Sequence, residues 1–255
     1  MSGKGGVGKS TLSTALAEYY ARQGKKVALL DGDVGLRCAD LMMNMQDRIL
    51  YDLGDVAEKA CTLEEALVPR PDLPNLNLLA APQMMNASDL KRTRMGNIIT
   101  SLSSETDVLI LDSPAGIGRG LKNLLGAAAE PVIVATPDDV SLRDAEKLGS
   151  LLSQREEPRP VIVFNRVQKK LVRRGEMKSP VQLAAMLDMP LMGVIPESPK
   201  IYLALLRNEG ALHSGDPKVI QAIEVIAARL LGADAPIETY EKSPVLRFFA
   251  RGGEA

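Results

Sequence analysis

The chain has 255 residues, of which 45% are hydrophobic and 25% charged, and its formal net charge is −1. This length and apolar content suffice for one substantial core, and the near-neutral charge excludes a global basic field of the kind that binds nucleic acids. No apolar run approaches the roughly 20 residues of a membrane-spanning helix. The two cysteines, Cys38 and Cys61, are too far apart for a C-x-x-C site, and we expect a protein of the reducing cytosol.

The first motif lies at the amino terminus, where residues 3–11 read GKGGVGKST and match the phosphate-binding pattern G-x-x-x-x-G-K-[ST]. Glycines allow the tight curvature that turns backbone N–H groups toward anionic oxygens, and a helix that begins near Lys9 adds its positive dipole end. We expect Lys9 to reach the β- and γ-phosphates of a nucleotide and the Ser10 hydroxyl to ligate Mg²⁺. The predicted nucleotide-binding residues here are Gly3, Lys4, Gly5, Gly6, Val7, Gly8, Lys9, Ser10 and Thr11.

A strand is missing from the start of this motif. A P-loop normally follows a buried strand, yet only Met1 and Ser2 precede Gly3. Either the chain given starts late relative to the full gene product, or the protein has no strand beside its nucleotide site. We favour the first alternative, because an empty central position would leave unpaired backbone groups and a cavity that together cost several kcal/mol.

Beyond the P-loop, short apolar runs alternate with longer helical patterns. Buried strands are predicted at 26–31, 76–80, 108–112, 132–136, 161–165 and 192–195. Helices are predicted at 11–23 and near 62–68, 88–102, 119–128, 141–153, 180–187, 199–208 and 217–231. This alternation predicts an α/β fold of the P-loop NTPase type, a mostly parallel sheet with helices on both faces, without its first strand.

Acidic side chains follow two of the predicted strands, at the sheet end where ligands bind in such folds. Asp112 is placed like a Walker B aspartate, which holds Mg²⁺ through its water shell. Asp33 lies two residues after Asp31 and is expected to orient the water that attacks the γ-phosphate. Asp31 itself would face Mg²⁺ or the helix after the P-loop. The predicted metal-binding residues are therefore Ser10, Asp31 and Asp112.

Lys4 is the unusual residue of the loop, because an ordinary P-loop needs no lysine after its first glycine. Its side chain would point poorly toward the phosphates of its own subunit. Across a two-fold dimer, however, it would reach the nucleotide of the partner subunit and neutralise developing charge, as an arginine finger does. The predicted catalytic residues are Lys4, Lys9 and Asp33.

The carboxyl-terminal tail contains two of the three phenylalanines, within the sequence SPVLRFFAR at 243–251. At helical spacing, four apolar residues share one side and two arginines lie opposite, which predicts an interfacial helix on an anionic membrane. These residues are Val245, Leu246, Phe248 and Phe249, and Arg247 and Arg251. A patch docked on its own domain is the competing interpretation. We divide the chain into a P-loop domain at 1–236 and a linker with a membrane-targeting helix at 237–255.

Residues 4–11, with lysines at both Lys4 and Lys9, resemble the deviant Walker A motif of the SIMIBI ATPases, and among these the chain is most similar to the ParA/MinD family, MinD in particular. Similar segments at 35–42, 112–117, 174–177 and 193–197 extend the resemblance over nearly the whole chain. It implies ATP and Mg²⁺ as cofactors, ATP hydrolysis and an ATP-dependent homodimer, with Asn165 and Arg166 near the adenine. One departure is Cys38, which stands where MinD proteins commonly carry asparagine, and it implies altered hydrolysis or altered contacts of the switch segment.

The resemblance further implies a cytoplasmic ATPase that lies on the inner face of the cell membrane when ATP is bound. There it would recruit a division-site inhibitor of the MinC kind, under a topological regulator of the MinE kind, and hydrolysis would release it. A ParA-type DNA-segregation ATPase and a flagellar-placement regulator are the alternatives. We do not expect a nucleic-acid partner, because the near-neutral charge and the amphipathic tail disfavour it.

Overall fold

The computed structural model describes residues 1–83, 92–116, 118–124, 130–154 and 158–241. The strands in these ranges are β1 Val27–Asp31, β2 Val68–Arg70, β3 Leu73–Leu79, β4 Val108–Asp112, β5 Val132–Ala135, β6 Val161–Val167 and β7 Leu191–Pro196. The helices are α1 Lys9–Arg22, α2 Ala39–Met42, α3 Leu53–Glu58, α4 Leu63–Ala66, α5 Arg92–Glu105, α6 Arg119–Leu124, α7 Asp139–Ser153, α8 Lys169–Arg174, α9 Pro180–Met186, α10 Pro199–Leu205 and α11 Pro217–Leu230. None of the helices in the described ranges has both the length and the apolar content to cross a membrane.

The strands form two sheets, one in the order β2-β3-β1-β4 and one in the order β5-β6-β7. All neighbouring strands are parallel except β2, which runs antiparallel to β3. Each of the six predicted strands is present, so the predicted α/β fold with a mostly parallel sheet is confirmed. The sheet is split, however, and β4 and β5 are the strands at the split.

Helices cover both faces of the strands, as expected from their continuous apolar runs. Along β1, Val27 and Leu29 pack with α1 and α11, whereas Ala28 and Leu30 pack with α3 and α5 on the opposite face. Successive side chains of a strand point to opposite faces, so a strand between two helical layers must be apolar throughout. In the second sheet α7 and α9 cover the face opposite α11.

Met1 and Ser2 lie between β4 and β5. The amino group of Met1 donates to the Val132 carbonyl at 2.6 Å, and the Val134 N–H donates to the Met1 carbonyl at 2.9 Å. Ser2 forms a parallel bridge with Ala115, just beyond the end of β4. These two residues therefore pair as the last residues of a strand that leads into the P-loop.

Several short elements differ from the sequence prediction. The helices α2, α3 and α8 and the strand β2 were not predicted, because segments of three to six residues are too short to show a period. Helix α8 ends at Gly175, whose φ of 77° stops it. The predicted helical ranges 88–91 and 125–128 and the predicted membrane helix at 245–251 lie outside the described residues.

A buried carboxylate ties α1 to the rest of the fold. Glu18 is 3% exposed and accepts from Arg70 at 2.9 Å, from His213 at 2.7 Å and from Arg22 on its own helix. Burial by itself raises the pKa of Glu18, but the charge and hydrogen bond of Arg70, together with the charges of His213 and Arg22, leave the pKa below its usual value. This cluster anchors the helix that begins at the P-loop lysine.

Replacing Arg70 with methionine should lower the free energy of unfolding by about 3 kcal/mol, because the buried negative charge of Glu18 then loses one of its positively charged partners. Urea unfolding at neutral pH measures this. The ion pair stabilises only while Glu18 is ionised, so the deficit should be full above the ordinary pKa of a glutamate and shrink as the pH falls through the lowered pKa of Glu18.

The matched control is Arg159→Met, because Arg159 also bonds a carboxylate, that of Asp188, but in an exposed pair. We expect a change of less than about 0.5 kcal/mol. Equal losses in the two variants, or a deficit for Arg70→Met that does not vary with pH, would contradict the assignment.

Candidate nucleotide site

The P-loop turns sharply between Ser2 and α1. Gly6 has φ 77° and Gly8 has φ 100°, in the left-handed region that favours glycine. Gly8 is the N-cap of α1, and among the described residues no side chain caps this helix. The N–H groups of its first turn are therefore available to an anion, as in known phosphate sites.

Asn165, at the carboxyl end of β6, packs directly against this loop. Its Nδ2 donates to the Val7 carbonyl at 2.8 Å, and its Oδ1 accepts from the Arg166 N–H at 2.9 Å. A Cβ atom at Gly8 would lie 2.3 Å from Nδ2, and the φ of 100° is one that L side chains rarely adopt, so both the contact and the backbone favour glycine. Asn165 thus supports the loop backbone, a contact that the sequence did not reveal.

A cavity of about 310 Å³ opens beside the loop, and Thr11, Asn165 and Arg166 line it. This volume is at the lower end of the range for small-molecule sites, which suits a nucleoside. The segment after β7 supplies the other side, with Pro196, Glu197 and Tyr202. Asn165 and Arg166 were predicted here from the sequence, but the residues after β7 were not. The signal for them is that the carboxyl ends of neighbouring parallel strands meet at one sheet edge.

The register of β1 on β4 places Asp31 opposite Asp112, and both side chains are buried. Asp31 accepts from the Asp33 N–H at 2.9 Å and from the Ala39 N–H at 3.1 Å, one bond to each oxygen. Burial, followed by the charge of Asp112, raises the pKa of Asp31 to about 7. These contacts favour a positioning role for Asp31, which holds residues 32–38, the switch segment between β1 and α2.

Asp112 has a free oxygen at the site. Its Oδ1 accepts from the Ser13 hydroxyl at 3.1 Å, whereas its buried Oδ2 has no hydrogen-bond partner in the described part of the chain. Burial raises the pKa of Asp112, and the hydroxyl of Ser10 is the main opposing influence. A carboxylate oxygen beside a serine hydroxyl fits Mg²⁺, which prefers a few hard oxygen ligands and keeps part of its water.

Lys9, Asp33 and Asp112 are close enough for their charges to interact. Burial raises the pKa of Asp33, the Lys9 charge opposes this rise, and the Asp112 charge adds to it. Lys9 is buried at the start of α1. The Gly32 N–H donates to the Asp112 carbonyl at 2.8 Å and joins the switch segment to β4. The structure thus brings Lys9, Ser10, Asp33 and Asp112 together, as the sequence predicted.

Lys4 lies on the surface, where its Nζ is 3.5 Å from Oδ1 of Asp138 and both side chains are nearly half exposed. Asp138 is itself fixed, because it caps α7 through the Ser141 N–H and accepts from the Thr136 hydroxyl. An exposed ion pair contributes at most about 1 kcal/mol, so Lys4 can leave Asp138 at little cost.

The switch region also presents apolar side chains that the sequence analysis did not single out. Leu36, Leu41 and Leu50 are 68%, 47% and 79% exposed. Between them, Arg37 has φ 44° and binds Asp40 at 2.6 Å. Cys38 is half-buried, and burial together with the nearby carboxylates raises the pKa of its thiol, so it stays protonated.

Known proteins are similar to this chain over most of its length. Residues 1–231 match the ParA family model, described as a NUBPL iron-transfer P-loop NTPase. The septum site-determining protein MinD of Synechocystis sp. is 36% identical, over 92% of this chain and 89% of its own length.

Two solved structures extend this similarity. The chain in the MinC:MinD cell division protein complex of Aquifex aeolicus is 33% identical, with a TM-score of 0.84, over 95% of this chain and 98% of that one. The MinD structure of Pyrococcus horikoshii, complexed with Mg-ADP, is 26% identical, with a TM-score of 0.78, over 90% of this chain and 93% of that one.

Replacing Gly8 with alanine should lower the affinity for Mg-ADP by at least about tenfold, or 1.4 kcal/mol, because the new Cβ collides with Asn165 and displaces the loop. Titration calorimetry measures the affinity, and a thermal melt checks the fold.

Gly24→Ala is the matched control. Gly24 also has a positive φ, of 80°, but nothing lies within 4 Å of its Cβ position. It should bear the same left-handed backbone strain of about 1–2 kcal/mol without losing affinity. If the two variants bind Mg-ADP equally well, Gly8 has no special role.

Proposed function

Because the chain belongs to the MinD group of the ParA-type P-loop ATPases, we propose that it is a cell-division ATPase that cycles between the cytoplasm and the membrane under the control of ATP. The observation that carries its chemistry is the unpaired buried oxygen of Asp112 beside Ser10 and the P-loop. ATP binding would pair two subunits, the pair would hold the membrane, and hydrolysis would release it.

The nucleotide is expected to bind with its phosphates in the P-loop and its adenine beside Asn165 and Arg166. The N–H groups of Gly5, Gly6 and Gly8 would donate hydrogen bonds to the phosphate oxygens, and Lys9 would neutralise the charge of these oxygens. Ser10 and Asp112 would hold Mg²⁺, which neutralises charge that develops between the β- and γ-phosphates. The cavity of about 310 Å³ that contains Thr11, Pro196 and Tyr202 is the proposed site of the base.

Hydrolysis requires a positioned water, and Asp33 is the residue that we assign to it. The raised pKa of Asp33 favours acceptance of a proton from that water, and the nearby Lys9 charge opposes the rise. Asp31 would support this step indirectly, because it accepts from the Asp33 N–H and fixes the segment that carries Asp33. The half-buried Cys38 leaves that segment without the amide that MinD proteins commonly carry there.

Lys4 would act in the partner subunit. On one subunit it faces Asp138 rather than a phosphate, and this weak contact is easily exchanged for a nucleotide across a two-fold axis. A depression of about 550 Å³ surrounds Lys4 and includes Gly5, Pro137 and Arg166, which leaves room for another chain. The dimer would thereby form only when triphosphate is present.

Membrane attachment would come from the tail at 245–251, in which Phe248 and Phe249 enter the lipid and Arg247 and Arg251 meet anionic headgroups. A helix of about two turns binds a bilayer weakly, and two tails on one dimer bind through their high effective concentration. A MinC-like inhibitor is the proposed partner, since the Aquifex aeolicus relative is in a MinC:MinD complex. A MinE-like regulator would stimulate release.

Iron transfer, the activity in the description of the matched family model, has less support in this chain. Cys38 begins α2, and Cys61 lies between α3 and α4, so the two thiols are on separate segments. The identity to MinD proteins over nine-tenths of the chain favours the cell-division role.

Replacing Lys4 with alanine should abolish ATP-dependent dimerisation and lower turnover at least about 1000-fold, the scale of an arginine finger, with nucleotide affinity little changed. Light scattering with Mg-ATP and a phosphate-release assay measure the two effects. Asp138→Asn is the control, because it removes the ion-pair partner of Lys4 and leaves the lysine charge and a capping side chain in place. A Lys4→Ala variant that dimerises and hydrolyses like the parent would refute the cross-subunit role.

Replacing Phe248 and Phe249 with glutamate should abolish co-sedimentation with anionic vesicles in Mg-ATP and leave nucleotide affinity within about twofold, because the tail is far from the P-loop in the sequence. The control is Met186→Glu on α9, which adds a charge at another apolar side chain that is 62% exposed. Vesicle binding that is equal in ATP and ADP would contradict the proposed switch.

A further inference from the structure

One surface segment of the chain is strongly basic. Residues 166–178 contain six positively charged side chains and one negatively charged one, although the net charge of the whole chain is −1. Four of these cations are exposed and lie on α8 or between α8 and α9, namely Lys170, Arg173, Arg174 and Lys178. We call these four residues the basic surface. Such a local concentration of charge attracts anions even where the chain has no overall positive field.

Little of this charge is neutralised within the described ranges. Arg174 lies 3.9 Å from Glu176, and both side chains are more than half exposed, so this contact is weak. The other ion pair of α8 joins Lys169 to Glu238. Among the described residues, these pairs leave Lys170, Arg173 and Lys178 without a carboxylate partner. Their charges are therefore available to an anionic partner.

A cavity of about 400 Å³ lies at the basic surface, and Arg173, Arg174 and Lys178 line it. Its lining includes one carboxylate, that of Glu241, which accepts from the Ser179 hydroxyl at 2.6 Å. The cavity shares no lining residue with the proposed base pocket, so it is separate from the nucleotide site. Two guanidinium groups beside one cavity suit phosphate oxygens, which arginine binds by paired hydrogen bonds.

The segment that leads to the proposed membrane helix is fixed at this same surface. Glu238 binds Lys169 at 2.6 Å, Tyr240 is 5% exposed within the core of the second sheet, and Glu241 lines the cavity. The proposed helix begins at Val245, four residues after Glu241, and four extended residues span at most about 14 Å. This distance is less than twice the screening length of about 8 Å at physiological ionic strength. A tail in the bilayer would therefore hold the basic surface within reach of the headgroups.

We propose, on the basis of the membrane attachment proposed above, that the basic surface is a second membrane contact, which binds the phosphate groups of anionic lipids while the tail holds the chain at the bilayer. Arg173 and Arg174 would bind phosphate oxygens, and Lys170 and Lys178 would add positive charge. Because a short apolar helix binds a bilayer weakly by itself, this contact makes attachment depend on anionic lipid.

The first test replaces Arg173 and Lys178 together with glutamine and measures co-sedimentation in Mg-ATP with vesicles of phosphatidylcholine and phosphatidylglycerol. Vesicle affinity should fall at least about 25-fold, or about fivefold for each cation, and the affinity for Mg-ATP should stay within about twofold. The matched control replaces Lys25 and Lys26 with glutamine, because these two lysines before β1 are also exposed. Vesicle affinity that is equal in the two double variants would overturn the proposal.

The second test uses the full chain without substitutions and requires neither ATP nor insertion of the tail. A hexahistidine tag after Ala255 holds the chain on vesicles that contain a nickel-chelating lipid, and acetic anhydride then modifies exposed lysines. Acetylation of Lys170 and Lys178 should be at least about fivefold slower on vesicles with phosphatidylglycerol than on vesicles of phosphatidylcholine alone. Acetylation of Lys25 and Lys26 should be the same on both.

The two tests separate the basic surface from the proposed ATP switch. A parent chain that fails to bind vesicles in Mg-ATP would refute the membrane cycle, and the acetylation rates of the tagged chain would still decide the lipid contact. Rates at Lys170 and Lys178 that are equal on both kinds of vesicle would overturn it and would favour an acidic protein as the partner of this surface. Equal slowing at Lys25 and Lys26 would also overturn it, because the attraction would then not be specific to the basic surface.

Discussion

Three backbone hydrogen bonds from the first two residues hold the nucleotide site together. They connect Met1 to β5 and Ser2 to the segment after β4, which belong to different sheets. The P-loop begins immediately afterward, so its position depends on both sheets. Asn165 holds the loop from the three-stranded sheet, and Asp112 faces Ser10 from the four-stranded sheet. The separation of the two sheets therefore sets the distance between the base-binding and metal-binding parts of the site.

The acidic end of the four-stranded sheet shows how one environment gives two carboxylates different roles. Asp31 and Asp112 are adjacent and buried, and burial raises the pKa of each. Backbone N–H groups occupy both oxygens of Asp31, so its work is to hold the switch segment. Asp112 keeps one oxygen without a hydrogen bond among the described residues, so it is the proposed ligand of a divalent cation, which would remove the cost of this buried group. The division of roles is consistent with an ATPase whose switch segment senses the metal end of the nucleotide.

The ion pairs near the P-loop differ in strength, because that of Glu18 is buried and that of Lys4 is exposed. The Glu18 cluster is buried and holds α1, the helix that begins at the P-loop lysine, to β2. The contact between Lys4 and Asp138 is exposed and weak, which is compatible with the proposed exchange of Lys4 to the nucleotide of a partner subunit. Leu36 and Leu50 are exposed in and after the switch segment, where a change at the nucleotide would reach a partner protein. A buried ion pair at α1 and exposed contacts at Lys4 and the switch segment are consistent with the proposed protein, which would bind and release partners as ATP is bound and hydrolysed.

The sequence by itself determined the fold class and the six main strands. It also predicted that Lys9, Ser10, Asp33 and Asp112 belong to one site. These features are local, because a strand of consecutive apolar residues and a glycine-rich loop each carry their signal within a few residues.

Only the tertiary structure decided how the sheet is divided, that Asn165 supports the P-loop, and that both oxygens of Asp31 are occupied by backbone groups. It also decided that residues after β7 complete the base pocket and that Glu18 lies among Arg22, Arg70 and His213. Each of these joins segments far apart in the chain, and no local pattern records the distance between two such segments. Short elements such as β2 and α8 were also decided by the tertiary structure, because segments of three to six residues are stabilised by packing against their neighbours rather than by their own propensity.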